Sequence, residues 1–221
     1  MASDPQGIGF IGLPYVLRAK ALGVSESETR PIVPQPFSVA TEDYALARRL
    51  FLYVPEKASA PARAFAEFAV SPAGQALVTR EGFIAQDIIE DEQDHTPVAP
   101  AEYVAFTRGA RRLSLNFRFR EGSAIPDTKA VRDIDRLVAF MQRAENAGRR
   151  LLLMGFADSN EGIPLHSLEL SVHRVDTVAD LLVARGIGPL RVRGYGSALP
   201  VAGNDTPHSR HKNRRVEVWV R

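Results

Sequence analysis

Two α/β units are expected from this sequence, and three observations predict them. Charge is the first. The chain carries 28 basic and 26 acidic side chains, but residues 1–100 hold 8 and 13 of them and residues 101–221 hold 20 and 13, so net −5 sits beside net +7. Second, residues 90–100, EDEQDHTPVAP, are acidic and contain two prolines, the composition of a linker between a unit at 1–89 and another at 101–221. Third, beyond residue 110 the apolar pattern switches between strand-like and helix-like periods in the order β-α-β-α-β-β, which calls for helices packed on a mixed sheet.

In the first unit, Gly7-Ile8-Gly9-Phe10-Ile11-Gly12 formally satisfies G-x-G-x-x-G. No strand precedes it, Pro14 follows at once, and no acid arrives at the distance a dinucleotide ribose requires, so a nucleotide loop is set aside. A helix is expected over 15–22, stopped by Gly23, and then an extended connection over 29–37 with Pro31, Pro34 and Pro36. Residues 49–54 read as a strand ended by Pro55. Two helices follow, over 61–70 with Phe65, Phe68 and Ala69 on one face, and over 71–80 with Ser71 as N-cap and Pro72 in the first turn. Ser38, Thr41 and Arg49 have side chains suited to an anion, but no run of backbone N–H groups accompanies them.

In the second unit, Leu113, Leu115, Phe117 and Phe119 alternate with Ser114, Asn116 and Arg118, the pattern of a strand with one buried face. A helix over 127–147 would bury Val131, Ile134, Leu137, Val138 and Met141 and stop at Gly148. Residues 151–154 are apolar without alternation, which suits a strand covered on both sides. From His166 the period is helical, through Leu168, Val172, Val175, Ala179 and Leu182, with Leu170, Val178 and Leu181 widening the stripe. Gly186-Ile187-Gly188-Pro189 turns the chain, and residues 191–194 and 215–220 supply the last strands.

Arg174 falls inside or beside that stripe, where a guanidinium needs a partner. Asp158, just past the apolar run at 151–154 and close to a helix start, is the nearest candidate. The two could pair with each other, stand as independent charges, or together grip a ligand carrying an amine and a carboxylate. Other chemistry is poorly supported. There is no cysteine, so no disulfide or thiol nucleophile. His95, His166, His173, His208 and His211 join no metal-ligand pattern, and Ser171 lacks the setting of a nucleophile. The arginines of the second unit are scattered among acids, without a nucleic-acid-binding motif. Neither a cofactor nor an enzyme activity is expected. No run approaches the roughly 20 apolar residues of a membrane span, and no export signal begins at Met1.

Gly155-Phe156-Ala157-Asp158, then Ser167 to Val175 (SLELSVHRV), then Gly194-Tyr195-Gly196 with Pro200, and finally Asn213-Arg214-Arg215-Val216-Glu217, resemble in order and pitch the blocks of the OmpA-like C-terminal domain. The likeness covers about residues 113–221. The family's His and Thr before the Asp are here Phe156 and Ala157, its helical Asn is Ser167, and Gly162 comes one position late. This resemblance implies non-covalent binding of peptidoglycan, with Asp158 facing the ammonium and Arg174 the carboxylate of stem-peptide diaminopimelate, supported by Arg214, Ser167 and Asn213. It implies a periplasmic or cell-envelope location, the export signal being lost or lying upstream of a truncated start. Residues 7–15, 43–50 and 71–78 with Gly82-Phe83 resemble the C-terminal part of phosphate-type periplasmic solute-binding proteins, which implies a partial α/β lobe, incomplete and without its anion loops. The second unit would then anchor that lobe to the wall. The alternative is a phosphate- or anion-binding transport component with the second unit as an accessory.

Overall fold

The computed structural model describes residues 4, 6–27, 29–91 and 99–221. The expected linker lies partly outside them, at 92–98, which include His95. The chain divides into two compact units, Met1–Val24 with Ile32–Asp87, and Ser25–Pro31 with Ile88–Arg221.

The first unit holds helices α1 (Pro36–Ala40), α2 (Ala60–Val70) and α3 (Pro72–Arg80). The expected cap at Ser71 forms, its Oγ accepting the Gly74 N–H, and Ser59 Oγ likewise accepts the Ala62 N–H at the start of α2. Other expectations are corrected. The helix over 15–22 is replaced by a 3-10 turn at Leu13–Tyr15, and Leu17 takes a left-handed φ of 48° with its side chain exposed. A short helix with no apolar face to bury does not sustain itself. No strand forms over 49–54, where Leu50, Phe51, Leu52 and Tyr53 are exposed, because a strand needs a neighbour to complete its hydrogen bonds. The extended stretch ends earlier than expected, since Pro36 opens α1.

Phe65 and Phe68 of α2 remain exposed, and that helix buries none of its residues. Among its described residues the unit has no strand, only the isolated Val24–Ile32 bridge, so the expected α/β lobe appears as helices and irregular chain. Nor do the three side chains considered for an anion gather round a hollow. Arg49 is held by Glu42 at 2.6 and 2.9 Å, while Ser38 Oγ and Thr41 Oγ1 bond to local carbonyls.

The second unit runs β1 (Glu90–Asp91), α4 (Ala101–Thr107), β2 (Arg111–Arg118), α5 (Thr128–Met141), β3 (Leu151–Gly155), α6 (Pro164–Val183), β4 (Arg191–Gly194), α7 (Pro207–Asn213) and β5 (Arg215–Val220). One mixed sheet, ordered β1-β2-β5-β3-β4, has β3 and β4 parallel and the other pairs antiparallel. The six expected elements stand in their expected order, with β1, α4 and α7 added. Glu90 and Asp91, read as linker, are therefore strand, and the Glu90 carboxylate holds Arg149 at 2.5 and 2.9 Å.

Both faces of the sheet are covered. Leu151 and Leu153 of β3 join Leu115, Phe117, Val216 and Val218 beneath α5 and α6, while Leu152 and Met154 join Trp219 beneath Tyr103 and Phe106 of α4. This is why β3 reads as uninterrupted apolar sequence. It also corrects the one-sided reading of β2, in which Ser114, Asn116 and Arg118 are buried and each has a partner: Ser114 Oγ accepts the Ile89 N–H, Asn116 Oδ1 accepts from Arg112, and Arg118 donates to the Lys212 carbonyl.

Asp127 caps α5 by accepting the N–H groups of Lys129 and Ala130. The helix ends at Met141, not near 147, because Asn146 Nδ2 turns back to the Phe140 carbonyl at 2.7 Å. Ile134 and Leu137 are buried as expected, whereas Val131 is exposed. In α6 the buried row is Ser167, Leu170, Ser171, Arg174, Val175, Val178 and Leu182, leaving Leu168 and Val172 on the flank.

Glycines let α6 lie close on the sheet. A Cβ at Gly155 would stand 2.0 Å from the Ser171 carbonyl oxygen, and one at Gly194 would stand 2.5 Å from Ser171 Oγ. Gly155→Ala is therefore expected to cost ~3 kcal/mol in urea unfolding, because backbone rather than a flexible side chain must give way. Gly188→Ala, with nothing within 4 Å of the added carbon, is the matched control and is expected to stay within about 0.5 kcal/mol.

Candidate functional site

The chain leaves β3 at Gly155 and stays in register for two more residues, Phe156 N–H donating to the Arg215 carbonyl and Ala157 N–H to the Gly196 carbonyl. Asp158 follows at this rim and is 1% exposed. Its Oδ2 accepts from Arg214 at 2.8 Å and its Oδ1 from the Asn160 N–H at 2.8 Å. Arg214 stands at the entry to β5, the neighbouring strand, and its Nε also donates to the Phe119 carbonyl at 3.2 Å.

Arg174 projects from the middle of α6 into the same region and is wholly buried. Its partner is not Asp158 but Glu161. Arg174 Nη2 and Nη1 reach the two Glu161 carboxylate oxygens at 2.5 and 2.7 Å. The remaining guanidinium contacts are backbone carbonyls: Ser123 at 3.0 Å, Phe156 at 3.2 Å and Arg120 at 3.3 Å. Beneath lies the Phe119 ring, its centre 5.5 Å from the guanidinium carbon.

Glu161 is the member that motif reading missed. Its carboxylate also accepts the Gly122 N–H at 2.8 Å and the Asp158 N–H at 3.1 Å, so four donors converge on two oxygens. Burial opposes ionisation of Glu161, but the hydrogen bonds and charge of Arg174, with the two backbone N–H groups, hold its carboxyl below the ordinary value. One sequence signal did point here. Gly162 arrives one position late, and the lengthened turn before it carries an acid, Glu161.

The other candidates are placed as follows. Ser167, in the first turn of α6, directs its hydroxyl to the Glu161 carbonyl at 3.5 Å and so touches the site's loop. Asn213 is committed elsewhere: its Oδ1 accepts the N–H groups of Val201 and Ala202, and its Nδ2 donates to the Ala202 carbonyl and Asn204 Oδ1. Phe156 does not fill the hollow at Arg174. Its ring stacks on Tyr195 at 5.7 Å, within the cluster under α4.

Asp158, Glu161, Arg174 and Arg214 thus form two internally neutral pairs joined through the Asp158 N–H. Chemically, such a cluster can take a zwitterion only by exchange, each incoming group replacing an internal one of like charge.

Residues 118–214 match the model of the OmpA family. The peptidoglycan-binding protein ArfA of Mycobacterium tuberculosis (strain ATCC 25618 / H37Rv) is 44% identical over 75 residues, which is 32% of this chain and 22% of that protein. The probable lipoprotein YiaD of Escherichia coli K12 is 40% identical over 70 residues, 31% of this chain and 32% of that one. Among solved structures, the peptidoglycan-associated lipoprotein from Burkholderia pseudomallei superposes over 48% of this chain and 89% of its own, at 20% identity and a TM-score of 0.43. The chain spans a third or less of the length of those two curated relatives. The likeness to the OmpA family thus falls within the second unit, over residues 118–214.

Proposed function

We propose that the OmpA-like domain binds peptidoglycan non-covalently at the Asp158/Arg174 site, taking the diaminopimelate of a stem peptide, and that this holds the first unit at the cell wall. One observation carries the reading: a buried carboxylate, Asp158, and a buried guanidinium, Arg174, from different elements stand at one rim, the Asp158 backbone N–H and the Arg174 guanidinium both donating to the Glu161 carboxylate. The matched relative named a peptidoglycan-binding protein supports it. In this reading Arg174 takes the side-chain carboxylate of diaminopimelate and Asp158 its ammonium group. Arg214 holds the Asp158 carboxylate in place, and Ser167 steadies the intervening loop. The location would be the periplasm or envelope. Among the described residues no helix is long and apolar enough to cross a membrane.

The test is retention of the whole chain on purified sacculi. Asp158→Asn and Arg174→Lys keep size while altering charge or fork geometry, and each is expected to lower retention at least about tenfold. Sacculi whose stem peptides carry lysine in place of diaminopimelate lack the second carboxylate and are expected to retain the protein poorly. Retention unaffected by both substitutions, or equal on the two kinds of wall, would sink the reading. Binding of a solute by residues 4–87 is a separate proposal resting on the sequence blocks alone. A phosphate titration of the whole chain that yields no heat removes it.

A further inference from the structure

Glu161 lies in the turn between Asp158 and Gly162, which is one residue longer than the family pattern, and its carboxylate occupies the Arg174 donors that a ligand carboxylate would meet. We infer that Glu161 is an intramolecular occupant of this carboxylate position, so that the site is closed by its own chain and opens only when a ligand carboxylate displaces the Glu161 side chain. The inference rests on the wall-binding reading and adds a regulatory residue to it.

Receiver and occupant are held differently. Arg174 sits on a twenty-residue helix, and three backbone carbonyls, of Ser123, Phe156 and Arg120, retain it when the carboxylate leaves. Glu161 sits on a loop whose neighbours Ser159, Asn160, Gly162 and Ile163 are all exposed, with Gly162 at a φ of 95°. Exchanging one carboxylate for another leaves the closed and the liganded forms with the same buried charge balance, and the short-lived open form keeps the Arg174 guanidinium on its three carbonyls. The incoming group inherits the same four donors: two from Arg174, one each from the N–H groups of Gly122 and Asp158. Because the binding-competent form is only the fraction in which Glu161 has swung out, apparent affinity falls by that fraction.

The experiment is calorimetric titration of the whole chain with a soluble disaccharide-tripeptide ending in meso-diaminopimelate. It compares the unaltered chain with Glu161→Gln and with a chain lacking Glu161, which restores the shorter turn. Thermal melts establish that each variant is folded. At least one folded variant is expected to bind about tenfold or more tightly than the unaltered chain. In the unaltered chain, the ¹³C resonance of the Glu161 carboxyl is expected to move to a solvent-exposed position on saturation, a readout that needs no substitution. Equal affinity in all chains with that resonance unmoved overturns this inference and leaves wall binding standing. No binding by any folded chain overturns both.

Discussion

Arg174→Ala is expected to lower the unfolding free energy by about 3–5 kcal/mol, because it strands the Glu161 carboxylate in the interior without its counter-charge. The pair is buried on both sides, with side chains 0% and 2% exposed. The same substitution takes donors from the carbonyls of Ser123, Phe156 and Arg120, each at a chain segment that α6 holds in place. Adding Glu161→Leu to Arg174→Ala is expected to recover a large part of the loss, since an apolar pair leaves no charge unsatisfied. Urea unfolding at neutral pH of both single variants and the double variant measures the coupling. Arg185 and Asp135 supply the contrast. They pair at 2.8 Å but stand 32% and 61% exposed, so Arg185→Ala is expected to cost no more than about 1 kcal/mol. Equal losses at Arg174 and Arg185 would mean that the interior charges at this rim are hydrated and hold little together.

The second unit was legible because its local signals agree with its packing. The unbroken apolar run at Leu151–Gly155 reported cover on both faces, Asp127 reported a helix start, and the stripe after His166 reported a helix against the sheet. What escaped were β1, α4 and α7. β1 has two residues and α4 and α7 seven each, too short for a period to show. The error at Val131 has a similar origin. Helical spacing names a stripe, but which edge of the stripe faces the sheet is decided by packing, and Phe140 and Ala130 took the position assigned to it.

For the site, sequence reading located the two charges and left open whether they pair with each other, stand apart or share a ligand. The actual partners come from the lengthened turn and from the entry to β5: Glu161 lies three residues past Asp158, and Arg214 fifty-six past it. Arg214 and Arg215 are adjacent and therefore serve opposite faces of the sheet, Arg214 reaching Asp158 while Arg215 reaches Glu217. In the first unit the signals failed for the opposite reason. Aromatic and β-branched residues at 49–54 predict a strand only where another strand stands beside it, and here Tyr53 is 90% exposed.

Glu217→Gln is expected to be as damaging as the loss of Arg174, about 3–5 kcal/mol at neutral pH, and to flatten the acid limb of the stability curve. Glu217 is 2% exposed on β5, between Arg112 at 3.3 Å and Arg215 at 2.7 Å, and it accepts the Tyr103 hydroxyl at 2.8 Å. Burial alone would raise its pKa, but the charges of Arg112 and Arg215 with the hydrogen bonds from Arg215 and Tyr103 bring it down from 4.5 to about 2. That depression corresponds to about 3 kcal/mol of stability at neutral pH. The sign follows from which state binds the proton first. As pH falls through about 4.5 the unfolded chain protonates Glu217 while the folded one does not, so stability declines from there and the Glu217 contribution is gone near pH 2. Glu161, also lowered, adds to the same limb. The amide introduced by Glu217→Gln keeps an acceptor for Tyr103 but leaves Arg112 and Arg215 facing each other without a negative charge, so the variant starts lower and declines less steeply between pH 4.5 and 2. Urea midpoints across that range measure both effects, and parallel curves for the two proteins would show that Glu217 is not the group whose protonation loosens this sheet.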